Sequence, residues 1–549
     1  MSWSFGDVYD AIADHSGDEH IALIHAGPGG REGLTISWPS FSSRTNRLAR
    51  YLQSQGLEPG SKVAHYMRNC PAYVETMVSC FKGRFIHVNV NYRYIEEELF
   101  YIFDNSDAEA IVYASEFRDH IEHLRARLSK VKTFIEVPEY FAEERAVPDY
   151  AVSYNVVTQS GEDARLEIER QGSDLLFIYT GGTTGMPKGV MWEQEAIWVA
   201  GGAGASILQP DRKPPSTPEE HARRVQDSQF RPKQMAACPL MHGTAMLSGI
   251  NTHSQGGTIV TMPETSLDPG AIWATVDRYK VNSIAIVGDA FAKPMLKELD
   301  ENGVTYDISS VIGIISSGVI WSPEVKKGLL RHNANMTLID SFGASEAIGF
   351  GASRTTKDSE SSTARFQIGQ HCKVFTEDHR EVQPGSGEPG FIARTGSIPV
   401  GYYKDEEKTA KTFPVINDVR YSIPGDWCTV DADGTLQLLG RGSVCINSGG
   451  EKIYPEEIEE VLKLHASVED ALVVGVNDDR WGQAVTGVIV LSENSELDED
   501  ALRNFVKSHL APYKAPKRIV VSDKPLRAAN GKADYKGATQ TANKILGIG

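Results

Sequence analysis

Cysteine is scarce in this chain, with six residues in 549, and no two of them stand in a C-x-x-C pair. The sequence therefore predicts neither a zinc site nor a disulfide framework, and it fits a reducing cytoplasm. Long apolar runs are lacking as well, since none approaches the roughly 18 residues that a membrane-spanning helix needs. The first residues lack a basic region followed by an apolar core, so neither a transmembrane segment nor a secretory signal is expected.

Positive charge is in deficit, with 55 Lys and Arg against 73 Asp and Glu and a net charge of −18. A surface that binds nucleic acid needs a basic face, so no nucleic-acid partner is expected. One stretch differs, because residues 511–536 hold seven lysines and arginines against two aspartates. This stretch is either a solvated tail or a positive element that meets a polyanion held by the acidic body.

The chain is longer than a usual single domain, so at least two units are expected. Strand and helix signals alternate through residues 1–360, with strands predicted at 175–179 and 258–262 and helix caps at Asp268 and Ser322. This alternation predicts an α/β fold with mostly parallel sheets that are covered by helices. Residues 209–234 are rich in proline and charge, and they predict a mobile surface excursion.

The pattern changes twice towards the end of the chain. Residues 366–439 read as short strands split by Gly, Pro and Asp, which predicts a small β-barrel subdomain. The last part predicts a compact α+β unit with helices at 455–464 and 500–510 and a strand at 518–521. We therefore expect a large N-terminal domain over residues 1–440 and a small C-terminal α+β domain over 441–549.

The most informative segment is TGGTTGMPKG, residues 180–189, directly after the apolar run 175–179. Glycines let backbone N–H groups approach an anion, the threonines add hydroxyl donors, and Lys188 adds a positive charge. The segment therefore predicts a cradle for a polyphosphate. It is not a P-loop, because Pro187 precedes the lysine and Gly189 follows it, where a P-loop has glycine and then serine or threonine.

Five further segments stand in a fixed order: PLMHG at 239–243, DSFGASE at 340–346, PGDW at 424–427, the glycine-rich run at 440–459 and PLRAANGK at 525–532. Together with residues 180–189 they resemble the adenylate-forming superfamily, which includes acyl-CoA synthetases, aryl-CoA ligases, luciferases and peptide-synthetase adenylation domains. The fuller wording is most similar to bacterial acyl-CoA synthetases that act on fatty acids or steroid side chains. The first 170 residues match only in general character.

The resemblance implies roles for individual residues. It assigns catalytic roles to Thr183, Lys188, Glu346 and Lys532, with Glu346 also holding Mg²⁺. In this family Phe342 would stack on adenine, and Asp426 would accept both ribose hydroxyls. The full nucleotide-binding set is Thr180, Gly181, Gly182, Thr184, Gly185, Ser317, Gly318, Asp340, Ser341, Phe342, Gly343, Ser345, Asp426 and Arg441.

The same resemblance implies two further sites and a moving domain. The acyl pocket would be formed by His242, Val287, Gly288, Asp289, Gly318 and Ala344, and CoA would bind at Gly449, Gly450, Glu451 and Lys452. The hinge falls on Ser443, where the family commonly has Asp or Lys. Lys532 would serve adenylation, and rotation of the mobile C-terminal domain about Ser443 would then present the Gly449–Gly450 loop to the thiol.

The leading hypothesis is an ATP-dependent carboxylic acid–CoA ligase that forms acyl-AMP and pyrophosphate, then acyl-CoA and AMP. ATP, Mg²⁺ and coenzyme A are the expected cofactors and co-substrates, and the mostly apolar residues near Met241 and Val287 favour a fatty, steroid side-chain or aryl acid. Two alternatives stay open: an acyl-AMP ligase that loads a carrier protein, and a nucleotide-binding regulator without turnover. A homodimer is a further hypothesis.

Overall fold

The computed structural model describes residues 1–143, 145–180, 186–204, 213–318, 321–359, 365–441, 446–453, 455–526 and 534–548. The side chains of residues 439–441, 452, 456 and 460 are not part of this description. Across these ranges no helix is both long enough and apolar enough to cross a bilayer. The five described cysteines are all free thiols.

The largest sheet has thirteen strands among the described residues. Its central strands run parallel and lie in the order Thr337–Ala344, Gly313–Ser317, Ser283–Ile286, Lys233–Ala236, Thr258–Thr261 and Ile21–Gly27. The strand Arg31–Ser37 closes one edge in antiparallel pairing. Beyond the other edge the sheet continues with Ala347–Thr355, Arg365–Ile368, Thr435–Arg441, Asp426–Val430, Gly390–Arg394 and Cys372–Phe375. This continuation is antiparallel, has its own buried core, and contains the predicted β subdomain.

The second sheet has eight described strands and is parallel over most of its width. In spatial order they are Gly401–Tyr402, Lys188–Glu193, Leu175–Thr180, Ile86–Asn89, Lys62–Tyr66, Ala108–Ala114, Thr133–Val137 and Val152–Ser153. A short hairpin pairs Val415–Ile416 with Val419–Arg420. The strand 175–180 is an almost continuous apolar run whose four middle residues are buried, as strands covered on both faces are. The strand 86–89 is fully buried although it contains the polar His87 and Asn89.

Helices cover both large sheets. Those before residue 441 are Phe5–Asp14, Trp38–Ser54, Pro71–Gly83, Glu96–Asn105, Arg118–Leu124, Tyr154–Gln159, Gln194–Ala200, Pro218–Gln226, Gly243–Ser254, Pro269–Tyr279, Gly288–Asn302, Pro323–His332 and Glu406–Thr412. The Asp268 cap is confirmed, because its side chain accepts from the backbone N–H of Ala271 at 2.9 Å. Ser322 stands at its predicted cap position but makes no side-chain capping bond.

The C-terminal domain is built on its own sheet. The strands are Glu451–Ile453, Ile446–Ser448, Gly482–Leu491 and Val468–Asp478, with Arg518–Val521 pairing parallel to 482–491. Its helices are Pro455–Lys463, Glu499–His509 and Tyr535–Leu546. Alternate residues of 468–478 enter two separate cores, one beneath the first two helices and one beneath the last. The predicted α/β class is confirmed, and the domain boundary at 441 stays a prediction.

The prediction of a surface excursion at 209–234 is wrong over residues 218–226. Residues 218–226 form a helix, capped by Thr217, and its apolar side packs on the helix Phe5–Asp14. Ala222 and Val225 are buried, and His221 bonds to the carbonyl of Ser254 at 2.6 Å. The buried residues are spaced three or four apart within a strongly charged stretch, so composition hid the helical pattern. Residues 209–212 lie outside the described ranges.

Candidate active site

A cavity of about 360 Å³ lies where the ends of strands from both large sheets meet the C-terminal domain. Ligands of α/β proteins collect beyond the carboxyl ends of parallel strands. The predicted site residues that line the cavity are Thr180, His242, Val287, Ser317, Gly318, Ser341, Gly343, Ala344, Ser345, Gly450 and Glu451. The cavity therefore brings together members of the predicted nucleotide, acyl and CoA sets, which are far apart in the sequence.

Part of the prediction falls on residues that the structure does not describe. These are Gly181, Gly182, Thr183, Thr184, Gly185, Ser443 and Lys532, and the side chains of Arg441 and Lys452. Thr180 and Lys188, which flank the glycine-threonine loop, pair across the antiparallel strands Leu175–Thr180 and Lys188–Glu193. Both ends of the loop are therefore fixed, with Thr180 at the cavity wall.

Lys188 has an acidic partner that the sequence did not point to. Its ammonium forms an ion pair with Asp405, which also caps the helix Glu406–Thr412 by accepting from the N–H of Lys408 at 2.9 Å. Burial raises the pKa of Asp405, but Lys188 and the helix N–H outweigh it and hold the pKa below its usual range. Asp405 therefore fixes the ammonium group of Lys188 at the start of the strand Lys188–Glu193.

Glu346 is a buried carboxylate with 8% of its surface exposed. Tyr402 donates to its Oε1 at 2.7 Å, and Ser422 donates to its backbone carbonyl at 2.6 Å. Within the described chain no three His, Cys, Asp or Glu side chains are grouped to hold a metal. Magnesium uses one or two carboxylates together with phosphate oxygens, so a single fixed carboxylate fits an ion that arrives with a nucleotide.

The predicted nucleotide-binding residues Ser317 and Ser341 lie at adjacent strand ends. Ser317 and Ser341 are register partners in the parallel sheet, and both line the cavity. Gly318 follows at a φ of +91°, a conformation that turns the chain away from the strand and suits glycine. Asp426 is buried and lies opposite Arg441 in the antiparallel pair 426–430 and 435–441. This places two predicted nucleotide-binding positions side by side.

Two predicted nucleotide residues have other neighbours in this structure. Asp340 forms an ion pair with the fully buried Lys326, and burial raises the pKa of Asp340 above its usual value. Phe342 is buried, and its ring packs on Phe350 and Phe366 with centroid distances of 5.4 and 5.1 Å. Neither residue is part of the described cavity wall. Their roles towards a nucleotide stay predictions.

Two predicted acyl-pocket residues support the wall from behind. Gly288 donates its N–H to the Ser316 hydroxyl at 2.8 Å, which ties the start of the helix Gly288–Asn302 to the neighbouring strand. Asp289 accepts from the N–H of Ser322 at 2.9 Å, just before the helix Pro323–His332. Val287 is the residue of this turn that reaches the cavity.

Replacing Lys326 by methionine should destabilise the N-terminal domain by about 1–3 kcal/mol, because the half-buried carboxyl group of Asp340 would lose its hydrogen-bonding cation. The measurement is urea unfolding followed by tryptophan fluorescence, since the Lys326 ammonium lies 5.5 Å from the ring of Trp321. Lys297→Met is the control, because Lys297 is exposed and its nearest carboxylate is 3.8 Å away. Equal stability of the two variants would contradict a stabilising role for the buried pair.

The C-terminal domain places the hairpin of strands 446–448 and 451–453 against the cavity. Gly450 lies beside Val287 and Phe291, and Glu451 lies 3.5 Å from His242 Nε2 and 3.3 Å from the Arg93 guanidinium. Burial raises the pKa of Glu451, but His242 and Arg93 outweigh it and lower the pKa below its usual value. The predicted CoA loop and the predicted acyl mouth are thus in direct contact.

Several cavity residues were missed by the sequence analysis. The helix Gly243–Ser254 lines it with Thr244, Leu247, Ser248 and Asn251, and the spacing of three and four residues among them was the available signal for one helix face. Asn89 also lines it, and donates to the carbonyls of Tyr179 at 2.9 Å and Met241 at 2.8 Å. No sequence pattern marks Asn89, because its partners are distant in the chain.

Comparison with known families defines the class of protein. The sequence model for the AMP-binding enzyme matches residues 10–403, and the model for the AMP-binding enzyme C-terminal domain matches residues 457–532. This chain belongs to the AMP-binding enzyme family. It is an enzyme of the acid–thiol ligase class, as predicted, and membership of the family implies the use of ATP and CoA.

Two relatives that match over almost the whole chain are both CoA ligases. The chain is 38% identical to the 3-oxocholest-4-en-26-oate–CoA ligase of Rhodococcus rhodochrous, over 96% of this chain and 94% of that protein. It is 36% identical to the medium-chain acyl-CoA ligase Mig of Mycobacterium avium, over 91% and 92% of the two chains. The amide bond synthetase McbA of Marinactinospora thermotolerans shares the fold, with a TM-score of 0.79 at 20% identity over 97% and 99% of the chains.

Proposed function

We propose that this protein joins a hydrophobic carboxylic acid to coenzyme A, with ATP cleaved to AMP and pyrophosphate. The observation that carries the proposal is the single cavity in which the strand ends 317–318 and 341–345, the His242 region and the C-terminal hairpin at Gly450 meet. The acyl-adenylate formed in the first reaction must meet the thiol in the second reaction. A cavity that nucleotide, acid and thiol share allows this, whereas separate sites would not.

In the first step the acid's carboxylate attacks the α-phosphorus of ATP and pyrophosphate leaves. Both reactants are anions, so the barrier falls when fixed cations lie where negative charge develops. Lys188, held by Asp405, is one such cation at the base of the loop. Glu346 would hold Mg²⁺ against the phosphates, where the ion would neutralise charge on the phosphate oxygens. Lys532 would supply a further positive charge.

In the second step the thiol of CoA attacks the acyl carbonyl, and AMP leaves with the bonding electrons. The described orientation of the C-terminal domain supports this step, because the hairpin at Gly450 and Glu451 occupies the cavity rim next to His242. The acyl-adenylate is a mixed anhydride that water would hydrolyse, so closure of the cavity by the domain protects it.

The decisive experiment measures each half-reaction separately with a panel of fatty, aromatic and steroid acids. Acid-dependent exchange of labelled pyrophosphate into ATP reports adenylation, and thioester formation with free CoA reports the second step. Exchange without a thioester would favour transfer to a carrier protein. Absence of exchange with every acid would overturn the proposal.

The acid is expected to lie along the helix Gly243–Ser254. The wall there combines Leu247, Ile348 and Met241 with the smaller Ser248 and Asn251. Thr244 adds a third polar side chain to this wall, and its apolar part, formed by Met241, Leu247 and Ile348, suits a fatty or steroid side-chain acid better than an amino acid. Magnesium use, a cytoplasmic location and a homodimer stay predictions.

Replacing Ser248 by phenylalanine should shift preference towards shorter acids, because the larger side chain takes up part of the cavity. We expect the ratio of kcat/KM for long over short acids to fall about tenfold or more, the range for altered apolar pocket contacts. The measurement is AMP release with a series of straight-chain acids. Lys297→Phe, on an exposed helix face, is the control. An unchanged ratio would place the acid elsewhere in the cavity.

A further inference from the structure

Three buried charges meet at the contact between the two domains. The Lys514 ammonium lies 2.6 Å from Glu98 Oε1 and 2.9 Å from Glu457 Oε2. Each of the three residues has 8% or less of its surface exposed. Glu98 belongs to the N-terminal domain, on the helix Glu96–Asn105, whereas Glu457 and Lys514 belong to the C-terminal domain. The ion pair to Glu98 therefore exists only while the domains are in this relative orientation.

Glu98 is held in place by its own domain. Its Oε2 accepts from the N–H of Ile95 at 3.2 Å, one turn earlier at the start of the same helix. The same oxygen accepts from the N–H of Ala511 at 2.8 Å, across the domain contact. The bond to Ile95 does not depend on the C-terminal domain, so the carboxylate is oriented before that domain arrives. Orientation in advance lowers the entropy cost of forming the contact.

An aromatic ring as well as two carboxylates surrounds the ammonium group of Lys514 at this contact. Its ammonium also lies 4.8 Å from the ring centroid of Tyr94, in the N-terminal domain. Burial lowers the pKa of Lys514, but Glu457, Tyr94 and Glu98 outweigh it and raise the pKa above its usual value. Removing one partner of such a buried set leaves an uncompensated charge, which is costly. Glu457 and Lys514 belong to the same domain. Of the two ion pairs of Lys514, only the one with Glu98 therefore depends on the relative orientation of the domains.

The same residues lie next to the proposed chemistry. Glu457, Tyr513 and Lys514 line the cavity together with Gly450 and Glu451, the hairpin proposed to admit the thiol. Tyr513 accepts from the side chain of Asn91 at 3.1 Å, which adds a second contact to the N-terminal domain. The ion pair and the hairpin are therefore parts of one docked surface.

We infer that Glu98 is a positioning residue for thioester formation, which holds the C-terminal domain in the orientation that presents the 449–451 hairpin to the cavity. The inference rests on the proposed function, because it assigns Glu98 to the second half-reaction. Under the proposed function, adenylation would use Lys532 of the same domain in a different orientation, and it would not need the bond from Glu98 to Lys514.

The test is Glu98→Gln, which keeps an oxygen to accept from Ile95 and removes the charge. Thioester formation from supplied acyl-adenylate should fall about tenfold or more, because a buried ion pair is broken. Pyrophosphate exchange should stay within about twofold of the parent enzyme, since the domain orientation proposed for adenylation lacks the ion pair between Glu98 and Lys514. The loss should appear in the maximal rate and not in the KM for CoA. Glu97→Gln is the matched control, because Glu97 is an exposed neighbour paired with Arg127.

Lys514→Gln is the second variant, from the other side of the contact, and it removes the ion pair to Glu98 together with the one to Glu457. Its loss of thioester formation should therefore be at least as large as that of Glu98→Gln. The double variant should be no slower than Lys514→Gln alone, because the interaction of Lys514 with Glu98 is already lost there. Equal losses in both half-reactions, or unchanged thioester formation in both single variants, would overturn the inference. Failure of the parent enzyme itself to form a thioester would refute the proposed function instead.

Discussion

Replacing Lys532 by alanine should lower the rate of adenylation by about 10²–10³, the usual cost of removing one well-placed group that stabilises developing charge. Thioester formation from supplied acyl-adenylate should stay within about twofold, because no charge develops on a triphosphate in that step. The measurement is pyrophosphate exchange beside single-turnover thioester formation. Lys524→Ala is the matched control, since Lys524 is an exposed lysine of the same segment.

The geometry supports this separation of the two steps. Leu526 and Asp534 flank the segment that carries Lys532, and the Asp534 N–H donates to the Leu526 carbonyl at 2.9 Å. Leu526 packs with Val474 and Ala538, in the core opposite the one that contains Ile458. The residues that the C-terminal domain contributes to the described cavity wall are Gly450, Glu451, Glu457, Tyr513 and Lys514. Equal loss of both half-reactions in Lys532→Ala would contradict the assigned role.

Much of the fold follows from local pattern. The strand Arg518–Val521 was predicted to the residue, and the strand at 258–261 within one position, because buried apolar runs between turn residues dominate those segments. The helix Pro218–Gln226 was missed, since its buried residues are few and its charged residues many. Packing on a distant helix, not local propensity, stabilises it.

The candidate site also contains some residues that local sequence predicts and others that depend on tertiary structure. Glycine-rich turns and strand ends lie at the cavity because their conformations are set locally, as at Ser317 and Gly318. The partners of charged residues could not be predicted, because they come from remote parts of the chain. Lys188 pairs with Asp405, and Lys514 with Glu98 across 416 positions. Such pairs depend on tertiary structure, for which a single sequence gives no periodic signal.

Replacing Gly449 by valine should lower thioester formation and leave adenylation nearly unchanged, which is the reverse of the result expected for Lys532→Ala. Gly449 has a φ of +59°, and a Cβ there would lie 2.9 Å from the ring of Trp481, so a β-branched residue would be both strained and too close. The hairpin would have to move, and with it Gly450, which lies beside Val287 at the cavity. We expect thioester formation to fall about 10–100-fold, since small misplacement of a positioning element is costly.

Adenylation should be nearly unchanged in Gly449→Val, because the proposed first step relies on Lys532 and not on this hairpin. Gly387→Ala is the matched control, since Gly387 also has a positive φ, of +71°, but has open space around its Cβ position. A parallel fall of pyrophosphate exchange would show that the hairpin supports both steps. Suppose that Lys532→Ala loses only adenylation and Gly449→Val loses only thioester formation. The C-terminal domain would then serve the two reactions from two surfaces, which requires it to rotate between them.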